Sequence, residues 1–340
     1  MKNTENLVNR LLADGLLYNI AVRVGKFDEI VGEVYASRTN LPDENTLFDM
    51  ASVTKILSVT TLSLIAIDKG VLTLTDKVSR FFPVSKQYQH LTVGNLLTHT
   101  MGVGHRNLTL NGNNYDTIAD YILSLESSGI CQRVDYSCPA FILMGKILEK
   151  IYHKRLDVLF REMVAAPLKM ARSGFCPDTR TDIVNSNLSA EEKGIVNDYN
   201  CRYLGGVAGN AGIFSCIADM TTFARMLLHN GEPLFSKAVM DIACQNHTQG
   251  MNAARGIGFL YVDAAYTQTG DLFPVGSVGH CGHTGQSLFL NRESGLYVII
   301  LSDATVSTVK KYGQEAYDAV MRMRRDIHNA IKSDLTAQGV

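Results

Sequence analysis

Strand-forming runs lie at both ends of this chain and helical patterns fill its middle, and that distribution constrains the fold more than any other feature. Residues 18–24 and 30–36 are β-branched runs around Gly25-Lys26-Phe27-Asp28-Glu29, the pattern of an antiparallel hairpin. Strand character returns only late, at residues 256–262, 286–291 and 296–301. Residues 91–229 lack strand alternation and carry helical patterns at 91–99, 117–126, 141–152, 158–164 and 218–229. A last helical pattern covers residues 310–332. The expectation is an α/β fold of the α+β type: an antiparallel sheet flanked by N- and C-terminal helices and interrupted by a large all-helical insertion. Residues 1–75 plus 235–340 are expected to form the sheet domain and residues 76–234 the helical one, with the active site at their junction.

Composition narrows the function classes. The chain has 340 residues, 46% hydrophobic and 19% charged, with a formal net charge of −1. That is an ordinary globular balance, and without a dense basic run it argues against nucleic acid as the main partner. The most apolar stretch, residues 56–67, is interrupted by Ser and Thr and is too short to span a bilayer, so no membrane partner is expected. The seven cysteines include no C-x-x-C pair, and reduced thiols are expected rather than a disulfide framework. No unbroken apolar core follows the N-terminal Met1-Lys2, so the expected address is the cytoplasm. A periplasmic or extracellular address would require a leader that has been removed.

Chemistry concentrates in four stretches. Ser52 and Lys55 stand three apart at the start of an apolar segment that reads as a helix, so their side chains share one face. Ser52 falls in or beside the first turn, where unpaired N–H groups favour developing negative charge. The pair reads either as an activated nucleophile with its amine or as a helix cap with an exposed lysine. Tyr136, in a turn before the helix at residue 141, is either a general base with its pKa lowered by an ammonium such as Lys55 or a structural residue at a helix entry. Residues 278–287, Val-Gly-His-Cys-Gly-His-Thr-Gly-Gln-Ser, allow close backbone approach and an N–H aimed at an oxyanion. Zinc ligation by His280, Cys281 and His283 is disfavoured, because neighbouring strand residues point to opposite faces and no further ligand pair lies nearby. Residues 204–215 are glycine-rich without a phosphate-loop lysine and read as a tight structural loop.

Together these stretches resemble the serine β-lactamase and penicillin-binding-protein superfamily, in its class C and esterase-like branch. Phe48-Asp49-Met50-Ala51-Ser52-Val53-Thr54-Lys55 resembles the S-x-x-K element, Tyr136-Ser137-Cys138 the Y-x-N element and His280-Cys281-Gly282 the H-x-G or K-T-G element. Residues 96–102, 194–198 and 204–215 resemble framework motifs of the same branch. The resemblance implies a β-lactamase/transpeptidase-like fold and a serine hydrolase acting through an acyl-enzyme on small esters, amides or short peptides. β-Lactams are implied as acylating ligands, and no metal or organic cofactor is needed. It assigns Ser52 as nucleophile, Lys55 and Tyr136 as the proton-sharing pair, and the N–H groups of Ser52 and His283 as oxyanion donors. His283-Thr284-Gly285 is a second register for the third element, but the family spacing puts His280 in the key position. Cys138 then replaces the asparagine of Y-x-N, which in the family holds the counterpart of Lys55 and the substrate amide, and Cys281 replaces the threonine of K-T-G on the substrate/oxyanion side. A thiol is a weak partner beside a carboxamide, so poor β-lactam turnover is expected. The competing expectation is a non-catalytic relative that binds ligands or acts as a scaffold.

Overall fold

The computed structural model describes residues 1–40, 42–109, 114–178, 182–263, 268–304 and 313–339. Its strands are β1 (Asn19–Lys26), β2 (Glu29–Ser37), β3 (Phe48–Asp49), β4 (Gly174–Phe175), β5 (Ile213–Ser215), β6 (Leu260–Tyr261), β7 (Val278–Cys281), β8 (Ser287–Leu290) and β9 (Leu296–Ser302). Six of them form one antiparallel sheet in the order β2-β1-β9-β8-β7-β6. The N-terminal hairpin is joined to the late strands by β1–β9 pairing, in which Ala21 faces Leu301 and Val22 faces Ile300. Mixed α/β architecture with an antiparallel sheet is therefore what both chain ends build.

Side-chain alternation divides the sheet into two working faces. Ile20, Val22 and Val24 of β1 and Val298 and Ile300 of β9 pack with Val8 and Leu11 of the N-terminal helix Lys2–Ala13. Val320, Met323, Ile327 and Ile331 of the C-terminal helix Ala316–Gln338 complete that layer. The Asp334 carboxylate accepts the N–H groups of Asn3 and Thr4 at 2.9 Å and the Thr4 hydroxyl at 2.7 Å, so the C-terminal helix caps the N-terminal one. Ala21, Tyr297, Ile299 and Leu301 point the other way, into the main core shared with the helical segment. The expected helix at 310–332 is observed as Ala316–Gln338, and residues 310–312 lie outside the described residues.

The middle of the chain departs from the all-helical expectation. Helices Val93–Leu97, Ile118–Ser124, Cys138–Tyr152, Leu156–Phe160 and Ile217–Leu228 stand where the periodicity placed them. A second sheet, β3-β5-β4, lies among them, and its strands of two or three residues are too short for alternation to register. The expected strand at 256–262 shrinks to Leu260–Tyr261, because Gly258 takes a left-handed φ of 76° and its Cα closes on Thr60. Residues 51–68 are apolar enough to pass for a membrane span by composition, yet 83% of that window is buried inside the fold.

Candidate active site

The segment that carries Ser52 is not the single α-helix its periodicity suggests. Ala51–Val53 is one 3₁₀ turn, Lys55–Thr60 is a π-turn, and α-helix begins only at Thr61. Hydroxyls absorb the carbonyls that this geometry displaces: Ser58 Oγ donates to Thr54 O at 3.0 Å and Thr61 Oγ1 to Ile56 O at 2.7 Å. Ala51 is held at a φ of 44°, a left-handed conformation costly to an L-residue. The Asp49 carboxylate, itself fixed by Asn197, holds it there. Asp49 Oδ1 accepts Ala51 N at 2.8 Å, and Asp49 Oδ2 accepts Asn197 N at 2.7 Å. Full burial pushes the Asp49 carboxyl up to about 6. Thr284 Oγ1 donates to Asp49 O at 2.9 Å, which fastens the β7–β8 turn to the same point.

Ser52 and Lys55 do share a face. Lys55 Nζ donates to Ser52 Oγ at 2.9 Å, to the main-chain O of Asn210 at 2.9 Å and to Cys138 Sγ at 3.6 Å. The lysine is fully buried, which excludes an exposed surface lysine. Tyr136 OH donates to Ser52 Oγ at 2.6 Å, so the serine oxygen receives both groups. Tyr136 is placed by local structure. Ser137 caps the helix Cys138–Tyr152 by accepting Ala140 N at 3.0 Å, and Pro139 stands in its first turn. Ser137 N donates to His99 Nδ1 at 3.0 Å, and the His99 ring lies 4.9 Å from those of both Tyr136 and Phe141. Cys138 opens that helix, and its Sγ reaches the ammonium.

The third element forms the opposite wall. His280, on β7 opposite Leu288, is buried with its ring 6.3 Å from that of Tyr136. Its Nδ1 donates to Cys281 O at 2.8 Å, leaving Nε2 as the unprotonated nitrogen. Cys281 turns away and donates its thiol to Gln268. No group of three potential metal ligands converges among the described residues. Gly282 is required by close approach: a Cβ there would stand 2.7 Å from Met50 O and 3.4 Å from Ala51 Cβ. Its carbonyl accepts from Arg324 of the C-terminal helix. His283 follows, exposed at the rim.

These residues line one cleft of about 460 Å³, a size suited to a small molecule. Ser52, Tyr136, Cys138, His280, Cys281, Gly282 and His283 are all in its wall. Lys55 lies behind it. The wall also holds residues to which the sequence attached no role: Arg255, Arg324, Asp198, and the pair His105–Tyr199, joined at 3.1 Å. A buried arginine on the last helix has no local signal in sequence. Asp198 fell within a framework match, and His99 within another, so that signal was present without a role attached.

Burial alone lowers the pKa of the Lys55 ammonium, but Cys138, Tyr136 and Asp198 outweigh it and hold that pKa above the usual lysine value. Burial raises Tyr136 and Cys138 above their usual values despite Lys55. Burial, with Lys55 and Arg255 adding to it, drives His280 and His99 well below the usual histidine range. The resting centre at neutral pH is therefore an ammonium, a phenol, a thiol and two neutral imidazoles around a serine hydroxyl.

Comparison with known proteins agrees with this geometry. The chain is 25% identical over 276 residues to a protein named as penicillin-binding protein PbpX of Bacillus subtilis (strain 168), covering 79% of this chain and 68% of that one. It is 24% identical over 312 residues to a protein of Escherichia coli (strain K12) named as a D-alanyl-D-alanine carboxypeptidase, covering 78% and 70%. Among solved structures, EstCE1, a hydrolase with promiscuous acyltransferase activity, superposes with a TM-score of 0.78 at 18% identity over 97% of both chains. The octameric penicillin-binding protein homologue from Pyrococcus abyssi gives 0.74 at 18% identity, over 92% of this chain and 76% of that one. The profile of the β-lactamase family matches residues 5–320, and the chain belongs to that family.

Proposed function

We propose that this protein is a serine hydrolase that works through an acyl-enzyme at Ser52 and prefers small esters to β-lactams. One observation carries the reading: Ser52 Oγ is held at 2.9 Å by Lys55 Nζ and at 2.6 Å by Tyr136 OH. Loss of one proton from the Lys55–Tyr136 pair creates the base. Ser52 then attacks the carbonyl carbon, its proton passes to the pair, and the carbonyl oxygen becomes an oxyanion facing the N–H groups of Ser52 and His283. Collapse expels the alkoxide, which takes the proton back through Tyr136. Water enters by the same route and releases the acid. The chain supplies nucleophile, base and oxyanion donors, and water is the co-reactant of the second half.

The preference for esters rests on two substitutions. Cys138 puts a thiol where a carboxamide would bind an amide substrate, and neutral His280 brings no positive charge to a substrate carboxylate. A D-amino-acid carboxypeptidase is the second reading. The name of the Escherichia coli relative favours it, as do Arg255 and Arg324, two buried guanidinium groups in the cleft wall. The test is a panel of p-nitrophenyl esters, D-alanyl p-nitroanilide and nitrocefin on wild type and Ser52→Ala, with fluorophosphonate labelling of both. Ester turnover and labelling that vanish in Ser52→Ala support the proposal. A wild type that neither labels nor turns over any of the three classes leaves a ligand-binding relative instead.

A further inference from the structure

The Lys55 ammonium offers three N–H donors to an uneven set of acceptors. Ser52 Oγ and the main-chain O of Asn210 each lie 2.9 Å away, while the third partner is the Cys138 thiol at 3.6 Å. Sulfur accepts weakly, so the Asn210 carbonyl is the fixed point that aims the amine at Ser52. That carbonyl is itself anchored. Asn210 is wholly buried, and its Nδ2 donates to Asp198 Oδ1 at 3.0 Å. Asp198 Oδ1 also accepts Cys201 N at 2.8 Å, as the cap of the short helix Tyr199–Tyr203. The next loop residue is tied to the same helix, since Cys201 Sγ donates to Ala211 O at 3.1 Å. On the other side the loop presses against the helix Cys138–Tyr152, where a Cβ on Gly209 would meet Phe141 O at 2.0 Å.

We propose that Asn210, held by Asp198, is a positioning residue for the Ser52–Lys55–Tyr136 centre: its main-chain carbonyl aims Lys55, and its carboxamide couples Lys55 to the Asp198 carboxylate. The catalytic consequence rests on the acyl-enzyme reading above; the effect on Lys55 does not. Tyr136 and Cys138 face Lys55 from the entry of their helix, and His99 from the turn beneath Tyr136. His105 and Asp198 face it from the loops across the cleft and His280 from β7, while Arg255 stands 5.8 Å from the Tyr136 ring. Asp198 is the one carboxylic acid among these groups. It favours the ammonium, so removing its charge lets Lys55 release its proton at lower pH. Releasing the Asn210 side chain leaves the carbonyl in the chain but frees it to move.

The test compares Asn210→Ala and Asp198→Asn with wild type by two measurements. One is the pH dependence of fluorophosphonate labelling at Ser52, with KM and kcat for a p-nitrophenyl ester. The other is a ¹³Cε NMR titration of Lys55, assigned with Lys55→Arg. In Asn210→Ala, labelling and kcat are expected to fall about tenfold or more with KM little changed. In Asp198→Asn, which keeps shape and hydrogen bonding, the Lys55 titration and the rising limb of labelling move down by about half a pH unit or more. Should Asn210→Ala fail to fold, Asp198→Asn decides. Wild-type labelling with an unmoved Lys55 titration and limb in the folded variants overturns the proposal. A wild type that does not label removes the hydrolase reading, and the Lys55 titration then decides alone: a downward shift supports the proposal and no shift overturns it.

Discussion

Tyr136→Phe isolates one oxygen atom. The substitution removes the hydroxyl that donates to Ser52 Oγ at 2.6 Å and leaves the ring where it packs, 4.9 Å from the His99 ring and 5.0 Å from Lys55 Nζ. The fold has little to lose, since a single hydrogen bond contributes about 1 kcal/mol net, and Lys55 still holds the serine. The rate has much more to lose. A positioned acid–base group contributes about 10²–10⁴ in rate, or about 3–5 kcal/mol at about 1.4 kcal/mol per tenfold. The assay is kcat/KM for p-nitrophenyl butyrate across pH, beside a thermal melt. In wild type both partners are protonated at neutral pH, so the base exists only after a proton is lost and kcat/KM must climb as pH rises through the pair's titration. In the variant the residual activity climbs on Lys55 alone, two or more orders of magnitude lower, with the melt within a few degrees. A variant that follows wild type within about threefold at every pH would remove Tyr136 from proton transfer.

The wild-type profile should show no fall on the alkaline side of neutrality and no limb near the usual histidine value, because burial keeps His99 and His280 neutral; a limb near pH 6.5 lost in His280→Gln would contradict this. Cys138→Asn gives Lys55 a carboxamide acceptor in place of a thiol, and nitrocefin acylation should rise about tenfold or more; no gain would show that the thiol is not what limits β-lactams. Gly209→Ala drives a Cβ to 2.0 Å from Phe141 O. That overpacking should cost about 1–3 kcal/mol, seen as a Tm lowered by several degrees together with loss of ester turnover, and an unchanged Tm would mean the helix and loop can part.

What the sequence revealed and concealed divides along physical lines. The hairpin at β1–β2 and the late strands were legible as β-branched and apolar runs several residues long, as expected of strands such as β1 and β9 that are buried on both faces. The two- and three-residue strands β3, β4 and β5 have none to read. Ser52, Lys55 and Tyr136 were legible as residue types at suggestive places, and the structure brings their three polar atoms together. The backbone that does so was not legible: the left-handed Ala51 is held by Asp49 and closed over by Gly282, and the π-turn is served by the Ser58 and Thr61 hydroxyls, contacts that periodicity cannot see. Asn210 and Arg324 were missed for the same reason. Each acts across the fold on a residue remote in sequence; Arg324 carries no local pattern, and Asn210 sits in the 204–215 loop, which reads as structural only.

The sheet pairs β1 with β9, strands far apart in the order of synthesis, with Ile20 beside Ser302. During synthesis Ser52 and Lys55 leave the ribosome early, at a stage when β7 and the helix bearing Arg324 do not yet exist. At about 5–20 residues per second, the nucleophile waits on the order of tens of seconds for the strand that will face it. A nascent chain therefore holds Ser52 without the β7 wall that faces it, and the hairpin β1–β2 exposes an edge reserved for β9. On the acyl-enzyme reading, reactivity is assembled only once β9 has been made, so truncation anywhere before β9 should yield a chain with Ser52 intact and no fluorophosphonate labelling.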